Sequence, residues 1–423
     1  MSRSLRGWLE AFVESVILAH DSIASQPGRS LLAVAGVVVG IVTVVLVSAV
    51  LAGARNQVAL LFRELGTENL FAYHLSGDPY AAPTTDEAQR RELDPGFARP
   101  LADLGQHVRE VAVQLIVPVV QGARVLTARA NGLESENVLV EGVSPNWADV
   151  VGADLRAGRP FTEIEDLSAA RVAIVGANVA RALFGEGRAV GGELRLGGAS
   201  FTVVGELWAR KGGFLGENRQ DNVVSLPLGT ARRLFPDARA TVLYIRAEPG
   251  QLELARIEVE GLLRRLRGVA PDQPGDFALS SSDQIISNFD QLSAAIGLAT
   301  VALAGVSLFI GGIGIANVMI IAVRERTREI GVRIAIGARR REVARQFLLE
   351  AAILSGTGGL AGVLLAGLLG LLLSFALPGF SAVPPPWIVA AGLLSSVAVG
   401  VVAGYWPARR AAALDPVEAL RYE

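Results

Sequence analysis

Few side chains in this sequence could make or break bonds. The three histidines, His20, His74 and His107, stand far apart and lack the spacing of metal ligands. Cysteine is absent, which removes disulfides and thiolate chemistry. A Walker A loop needs Gly-x4-Gly-Lys-Ser/Thr, and the only lysine, Lys211, lies between Arg210 and Gly212. Gly311, Gly312 and Gly314 imitate part of a dinucleotide fingerprint, but they lie inside a long apolar run and read as packing residues. No Gly-x-Ser-x-Gly elbow is present. The expectation is a chain that is not an enzyme, with no catalytic, metal-binding or cofactor-binding residue.

The side chains with physical work to do are arginines. Eight of them, Arg324, Arg326, Arg328, Arg333, Arg339, Arg340, Arg341 and Arg345, crowd the stretch between two long apolar segments. Arginine beside membrane-length helices is retained on the cytoplasmic side, so this stretch orients the chain. It is also patterned. Glu329 and Arg333 stand i,i+4 in the favourable acidic-first order, and Ile330 and Ile334 share a helical face. Gly331 weakens the helix, and Gly337 can end it in a left-handed conformation before Arg339 to Arg341 begin the next. Orientation requires charge alone and does not require Ile330, Val332, Ile334 and Ile336. The pattern therefore predicts a short amphipathic helix that docks a cytoplasmic partner, with Glu325, Arg326, Thr327, Arg328, Glu329, Ile330, Gly331, Arg333, Ile334 and Gly337 as its candidate residues.

These residues need elements to hold them, and composition says which kind. With 51% hydrophobic residues and a mean hydropathy of +0.42, the 423-residue chain suits a membrane protein carrying one large water-exposed domain. Its formal net charge of -2 gives no reason to expect a nucleic-acid partner. The expected fold is an α-helical membrane protein with four transmembrane helices and a large α+β extracytoplasmic domain inserted between helices 1 and 2.

Residues 1–28 read as an amphipathic helix on the cytoplasmic face, broken at Gln26-Pro27-Gly28. Residues 31–53 are uncharged and long enough to span a bilayer core. Ala52-Gly53-Ala54 resembles a signal-peptide cleavage site, but the apolar run before it exceeds such a signal's usual length. Further membrane helices are expected at 292–323, 347–375 and 387–406, flanking a coupling loop at 324–346 and a cytoplasmic tail at 407–423. Both termini are then cytoplasmic. Residues 54–290 have the strand, turn and short-helix alternation of an α+β domain, with a turn-rich junction after Trp147. A porter-like part at about 54–150 plus 225–290 and a β-rich subdomain at about 151–224 are expected.

Small residues recur at four-residue spacing in the apolar helices: Gly36 and Gly40; Gly358, Gly362, Ala366 and Gly370; Gly392, Ser396, Gly400 and Gly404. In lipid, such stripes mark close helix contacts, within the chain or across a dimer. Apart from Glu350 the expected spans hold no ionisable group, which argues against a polar channel.

Three motifs carry a family resemblance. Glu325-Arg326-Thr327-Arg328-Glu329-Ile330-Gly331-Val332-Arg333 with Ile336-Gly337-Ala338 is the most specific. Val172-Ala173-Ile174-Val175-Gly176 with Leu183-Phe184-Gly185 is the second. The third is the ending Pro407-Ala408-Arg409-Arg410 through Leu414-Asp415-Pro416-Val417-Glu418-Ala419-Leu420-Arg421. Together they resemble the permeases of the MacB/FtsX superfamily of ABC transporters, along essentially the whole chain. The resemblance implies a homodimer in a bacterial inner membrane, coupled through the basic loop to an ABC ATPase that binds ATP and magnesium. It also implies mechanotransmission to the outer domain, with a periplasmic adaptor as a further partner besides membrane lipid. No ATPase precedes the first helix here, so the ATPase is expected on a separate polypeptide. Export or extraction of a hydrophobic or peptidic substrate is the favoured role, because the outer domain exceeds what a scaffold needs. A scaffold that activates a cell-wall hydrolase is the alternative.

Overall fold

The computed structural model describes residues 27–64, 66, 68–75, 87–117, 126–185, 187, 189–210, 221–377 and 379–420. The expected amphipathic helix at the N-terminus lies almost wholly outside the described residues. Two compact units form, one from Met1–Ala54 with Gln291–Glu423 and the other from Arg55–Asp290.

The elements run α1 (Pro27–Glu64), β1 (Asn69–Tyr73), α2 (Ala98–Leu104), β2 (Val108–Ile116), β3 (Ala128–Ala130), β4 (Leu133–Ser135), β5 (Leu139–Val143), α3 (Trp147–Val151) and β6 (Leu155–Gly158). They continue with α4 (Glu163–Leu167), β7 (Val172–Val175), α5 (Ala177–Phe184), β8 (Glu193–Leu196), β9 (Ala199–Leu207), β10 (Val223–Pro227), α6 (Leu228–Leu234), β11 (Thr241–Ala247), α7 (Leu252–Arg267) and β12 (Ala278–Ser281). Last come α8 (Ser282–Glu325), α9 (Thr327–Ala335), α10 (Arg340–Ala376), α11 (Pro386–Ala412) and α12 (Pro416–Leu420).

Within Arg55–Asp290, strands rich in Val, Ile and Leu join one sheet in the order β12-β1-β11-β2-β5-β10-β7-β9-β8-β3-β4, with β6 beside β9. The division expected near residue 150 is drawn differently. β5 pairs in parallel with β10, and the β3–β4 hairpin pairs with β8, so residues 128–135 belong with the later strands. Their core confirms it: Ala128, Ala130, Val138 and Val140 pack with Val175, Leu183, Leu194 and Phe201. Short strands such as β3 and β4 carry little periodicity, and only long-range pairing assigns them.

A buried polar chain ties four strands together. Tyr244 Oη donates to Gln114 Oε1 at 2.6 Å, the Gln114 amide donates to Glu141, and Ser225 Oγ donates to the other oxygen of Glu141. Each group is satisfied by another strand, which pins the register of β2, β5, β10 and β11.

At the start of α4, Thr162 and Glu165 form a capping box while Arg159 grips Glu165 with both terminal nitrogens, at 2.8 and 2.7 Å. The Arg159 guanidinium, helped by Thr162 and opposed by burial, holds the Glu165 carboxyl down to about 2. A depressed carboxylate contributes stability that is present above its unfolded pKa and is lost as pH falls through the folded one. Glu165→Gln is therefore expected to lower stability by about 1 kcal/mol at neutral pH, modest because Arg159 is half exposed. Thermal melts of the full chain should show that gap closing as pH falls from ordinary carboxylate values toward about 2.

The other unit holds the four helices that are long and apolar enough to cross a membrane: Val34–Phe62 within α1, α8, α10 and α11. Each overruns its expected span. α1 continues through Gly53, so the small-x-small sequence there is helix interior. A side chain at Gly53 would meet the Ser381 carbonyl at 2.5 Å and the Phe380 ring at 2.9 Å, which explains the small residue. α8 begins before the expected residue 292, and its 44 residues reach about 66 Å. α11 carries Pro407 in its interior and runs on to Ala412, past the expected end at 406.

The glycine stripes are contacts inside this chain. A Cβ at Gly36 would lie 2.8 Å from Gly311 Cα, and one at Gly40 would lie 3.2 Å from the Ala304 carbonyl, so α1 lies tight on α8. Gly358 and Gly362 admit Val37 and Ile41 of α1, while Gly392 faces Ile41 and Val45. Gly370 sits under the Ala382 carbonyl at 2.7 Å. Gly400 and Gly404 let α11 close onto Ala351 and Ser355 of α10. Gly400→Leu must push these two helices apart. A loss of about 1–3 kcal/mol is expected in detergent melts, against almost none for Gly367→Leu, where nothing lies within 4 Å.

Candidate docking helix

The basic stretch folds into α9 between α8 and α10. The Thr327 hydroxyl donates to the carbonyls of Val323 and Arg324 at 3.0 and 2.9 Å, closing the turn that separates α8 from α9. At the other end the Ala338 N–H donates to the Arg333 carbonyl at 3.0 Å, and Gly337 takes a φ of +104°. That value is open to glycine and strained for other residues, so α9 has a defined end.

The two faces of α9 divide the candidate residues. Ile330 is 4% exposed and packs with Val343 and Phe347 of α10, and Ile334 lies against the same cluster. A Cβ at Gly331 would stand 2.5 Å from Ala419 Cβ, so Gly331 serves the contact with α12 more than it weakens the helix. Glu329 pairs with Arg333, whose Nη1 also donates to Gln346 Oε1 at 2.8 Å. Arg326 Nη1 donates to Glu350 Oε1 at 3.3 Å, joining the start of α9 to a carboxylate that is 2% exposed on α10. α9 is thus fastened by packing and by two charged ties.

This geometry divides the expected docking residues between two faces. Ile330 and Ile334 hold α9 to its own chain and are not free to meet a partner. The outward stripe is Arg328, Val332, Ala335 and Ile336, which share one side at helical spacing. Ile336 is 80% exposed and Val332 42%. Glu325 is also exposed, and Gly337 lies exposed at the helix end. Sequence alone named all four isoleucines and valines of this helix, but the period could not say which stripe its own chain would cover. Gln346 carried no signal and Ala419 stood only within the C-terminal motif, because their contacts with α9 exist only once α10 and α12 are in place.

Among the described residues, no group of three or more His, Asp or Glu side chains could hold a metal ion. What the site presents is a rigid amphipathic surface between two membrane-length helices.

Residues 30–262 match the family model described as MacB-like periplasmic core domain, and residues 301–416 match FtsX-like permease C-terminal. The chain belongs to the MacB/FtsX-type permease family. The second match takes in α9, the turn at Gly337 and all of α11, and it ends at the first residue of α12, so the basic helix lies within the permease domain.

Similar curated proteins include a macrolide export ATP-binding/permease protein MacB of Bradyrhizobium diazoefficiens, 33% identical over 97% of this chain and 61% of its own length. Another MacB, of Rhodopirellula baltica, is 30% identical over 98% of this chain and 63% of its own length. A pyoverdine export ATP-binding/permease protein PvdT of Pseudomonas putida is 33% identical over 98% and 61%. The chain spans about three fifths of the length of these relatives. The periplasmic region of MacB from Actinobacillus actinomycetemcomitans overlays 54% of the chain at 16% identity with a TM-score of 0.43, too slight a likeness to argue from. Family and helices together make this a multi-pass inner-membrane protein with an α+β domain between its first and second membrane helices.

Proposed function

We propose that this chain is the permease subunit of an ABC transporter whose ATPase is a separate polypeptide. ATP and magnesium act in that partner, which seats against α9. The single observation that carries the reading is α9 itself, held to its own chain through Ile330, Gly331 and Arg326 while Arg328, Val332 and Ile336 face outward. A loop that served only to orient the chain would need neither the ties nor the outward apolar residues.

The cycle is mechanotransmission. ATP-driven closure of the ATPase displaces α9, the ties to α10 pass the movement to the membrane helices, and α1 and α8 carry it to the outer domain. Two observations support movement in preference to a path through the bilayer. Close glycine contacts fill the spaces between helices, and Glu350, paired with Arg326, lies at the basic end of α10. In this reading the basic ends and both termini are cytoplasmic, the Arg55–Asp290 domain is periplasmic, and the assembly is a homodimer working with a periplasmic adaptor. The substrate is a hydrophobic or peptidic molecule, by analogy with the macrolide and pyoverdine exporters named above.

The test is affinity capture of the detergent-solubilised chain from its native membrane, with partners identified by mass spectrometry. Recovery of an ABC ATPase is expected. Recovery of an extracytoplasmic cell-wall hydrolase with no ATPase would overturn the transporter reading.

A further inference from the structure

On the basic side of the helical unit, a cavity of about 210 Å³ opens between the ends of α8 and α11, with α12 along one wall. Ile320 and Val323 form apolar wall, and Arg324, Thr327, Arg410 and Glu418 are the polar side chains around it. The two arginines come from different helices and converge on one space. Neither has a carboxylate partner within 4 Å among the described residues. Glu418 is likewise unpaired. Arg410 instead stacks over the Trp406 ring, 5.2 Å from its centroid. Stacking uses the flat face of a guanidinium and leaves its N–H edges free to donate in the plane. Arg410 is therefore preorganised as a donor without being consumed as one.

The surface leading to this cavity is hydrocarbon-like. On α11, Val402, Trp406 and Arg410 follow one another at i, i+4 and i+8, all exposed. On α8, Ile313, Asn317, Ile320 and Arg324 share one face, apolar except at Asn317 and ending in charge. The α11 stripe passes from apolar Val402 through interfacial Trp406 to cationic Arg410 in the direction a phospholipid does, from acyl chain through glycerol to phosphate, and the α8 face likewise ends in its cation. Tyr405 and Trp406, both more than half exposed, mark the level of the headgroups.

The geometry points to a binding site for the headgroup of an anionic phospholipid, with Arg324 and Arg410 donating to the phosphate and its acyl chains lying along α8 and α11. This rests on the reading of these helices as membrane-spanning with their basic ends at the headgroup layer. An acidic segment of a partner protein could answer the two charges but would have no use for the apolar stripes that run into them. Glu418 opposes the phosphate from one side and sets the site against doubly charged free anions. The lipid would brace α8 against α11 beside the docking helix.

The experiment is native mass spectrometry of the delipidated full chain in detergent, titrated separately with dioleoyl phosphatidylglycerol, dioleoyl phosphatidylcholine and inorganic phosphate. One saturable phosphatidylglycerol adduct is expected, retained well above phosphatidylcholine. Combined Arg324→Ala and Arg410→Ala should weaken it roughly thirty-fold, the attraction of two juxtamembrane cations. Glu418→Gln should strengthen it. Combined Arg340→Ala and Arg341→Ala, which removes equal charge from the start of α10, should leave it near the starting value. Should the double variant not fold, Arg410→Gln alone should still weaken retention several-fold.

Equal loss in both arginine pairs would reduce the effect to general surface charge and overturn the site. So would equal retention of phosphatidylcholine, or displacement of phosphatidylglycerol by stoichiometric phosphate. Loss of lipid selectivity with ATPase capture intact would sink this site alone. Failure of ATPase capture with selectivity intact would sink only the transporter reading.

Discussion

Ile336→Asp is expected to abolish stable association with the ATPase subunit while leaving the helical unit folded. Ile336 is 80% exposed at the end of α9, and none of the described residues covers it. Burying such a side chain in an interface contributes about 1.5–3 kcal/mol, and a carboxylate in its place adds a desolvation cost. The sum predicts a loss of affinity of about a hundred-fold or more. Ile336→Ala should lose about ten-fold, because it removes only the apolar contact. Ile330→Ala separates the two roles of α9. Ile330 is buried among Val343 and Phe347, so this change should lower thermal stability by about 2–5 kcal/mol. Co-purification with the ATPase and melts of the free chain read both effects. Undiminished co-purification of Ile336→Asp would remove the outward stripe as the docking surface.

Arg326→Met should destabilise the chain by about 3–5 kcal/mol, because it leaves a buried carboxylate without its cation. Glu350 is 2% exposed, and Arg326 is its ion-pair partner at 3.3 Å. The double change Arg326→Met with Glu350→Met should recover most of that loss, since two apolar side chains need no partner. Glu350→Gln should fall between, retaining an acceptor without the charge. The same variants test transmission. If the tie carries movement from α9 into α10, the double variant will be stable, yet its complex with the partner ATPase will hydrolyse ATP without moving the outer domain. Coupling between the two sites below about 1 kcal/mol would show that the pair holds nothing together.

How much of this was legible before the structure follows from the range of each signal. Membrane helices announce themselves through long uncharged runs, and their existence needed no tertiary information. Their ends did not, because α1 and α8 continue as helices into polar sequence that hydropathy counts as outside the membrane. The stretch Glu325 to Gly337 was legible as an amphipathic helix with a glycine stop. Which stripe faces outward was not, since that depends on Ala419 and Phe347 arriving from elsewhere in the chain. Gly36 could be read as a packing residue, but its partner Gly311 lies 275 positions away, and only the fold pairs them. The same limit hid the β3–β4 hairpin, whose place beside β8 is set by non-local pairing.

In the proposed complex an ATPase seats on the outward stripe of α9. The chain has no cysteine, so Ile336→Cys introduces a unique thiol at the point of contact. The measurement is cross-linking of that variant, in native membranes, with a short thiol-to-amine reagent. A covalent product joining this chain to an ABC ATPase is expected, strong at position 336 and absent for Gly367→Cys within α10. Cross-linking only to lipid-facing or unrelated proteins, with none to an ATPase, would contradict it.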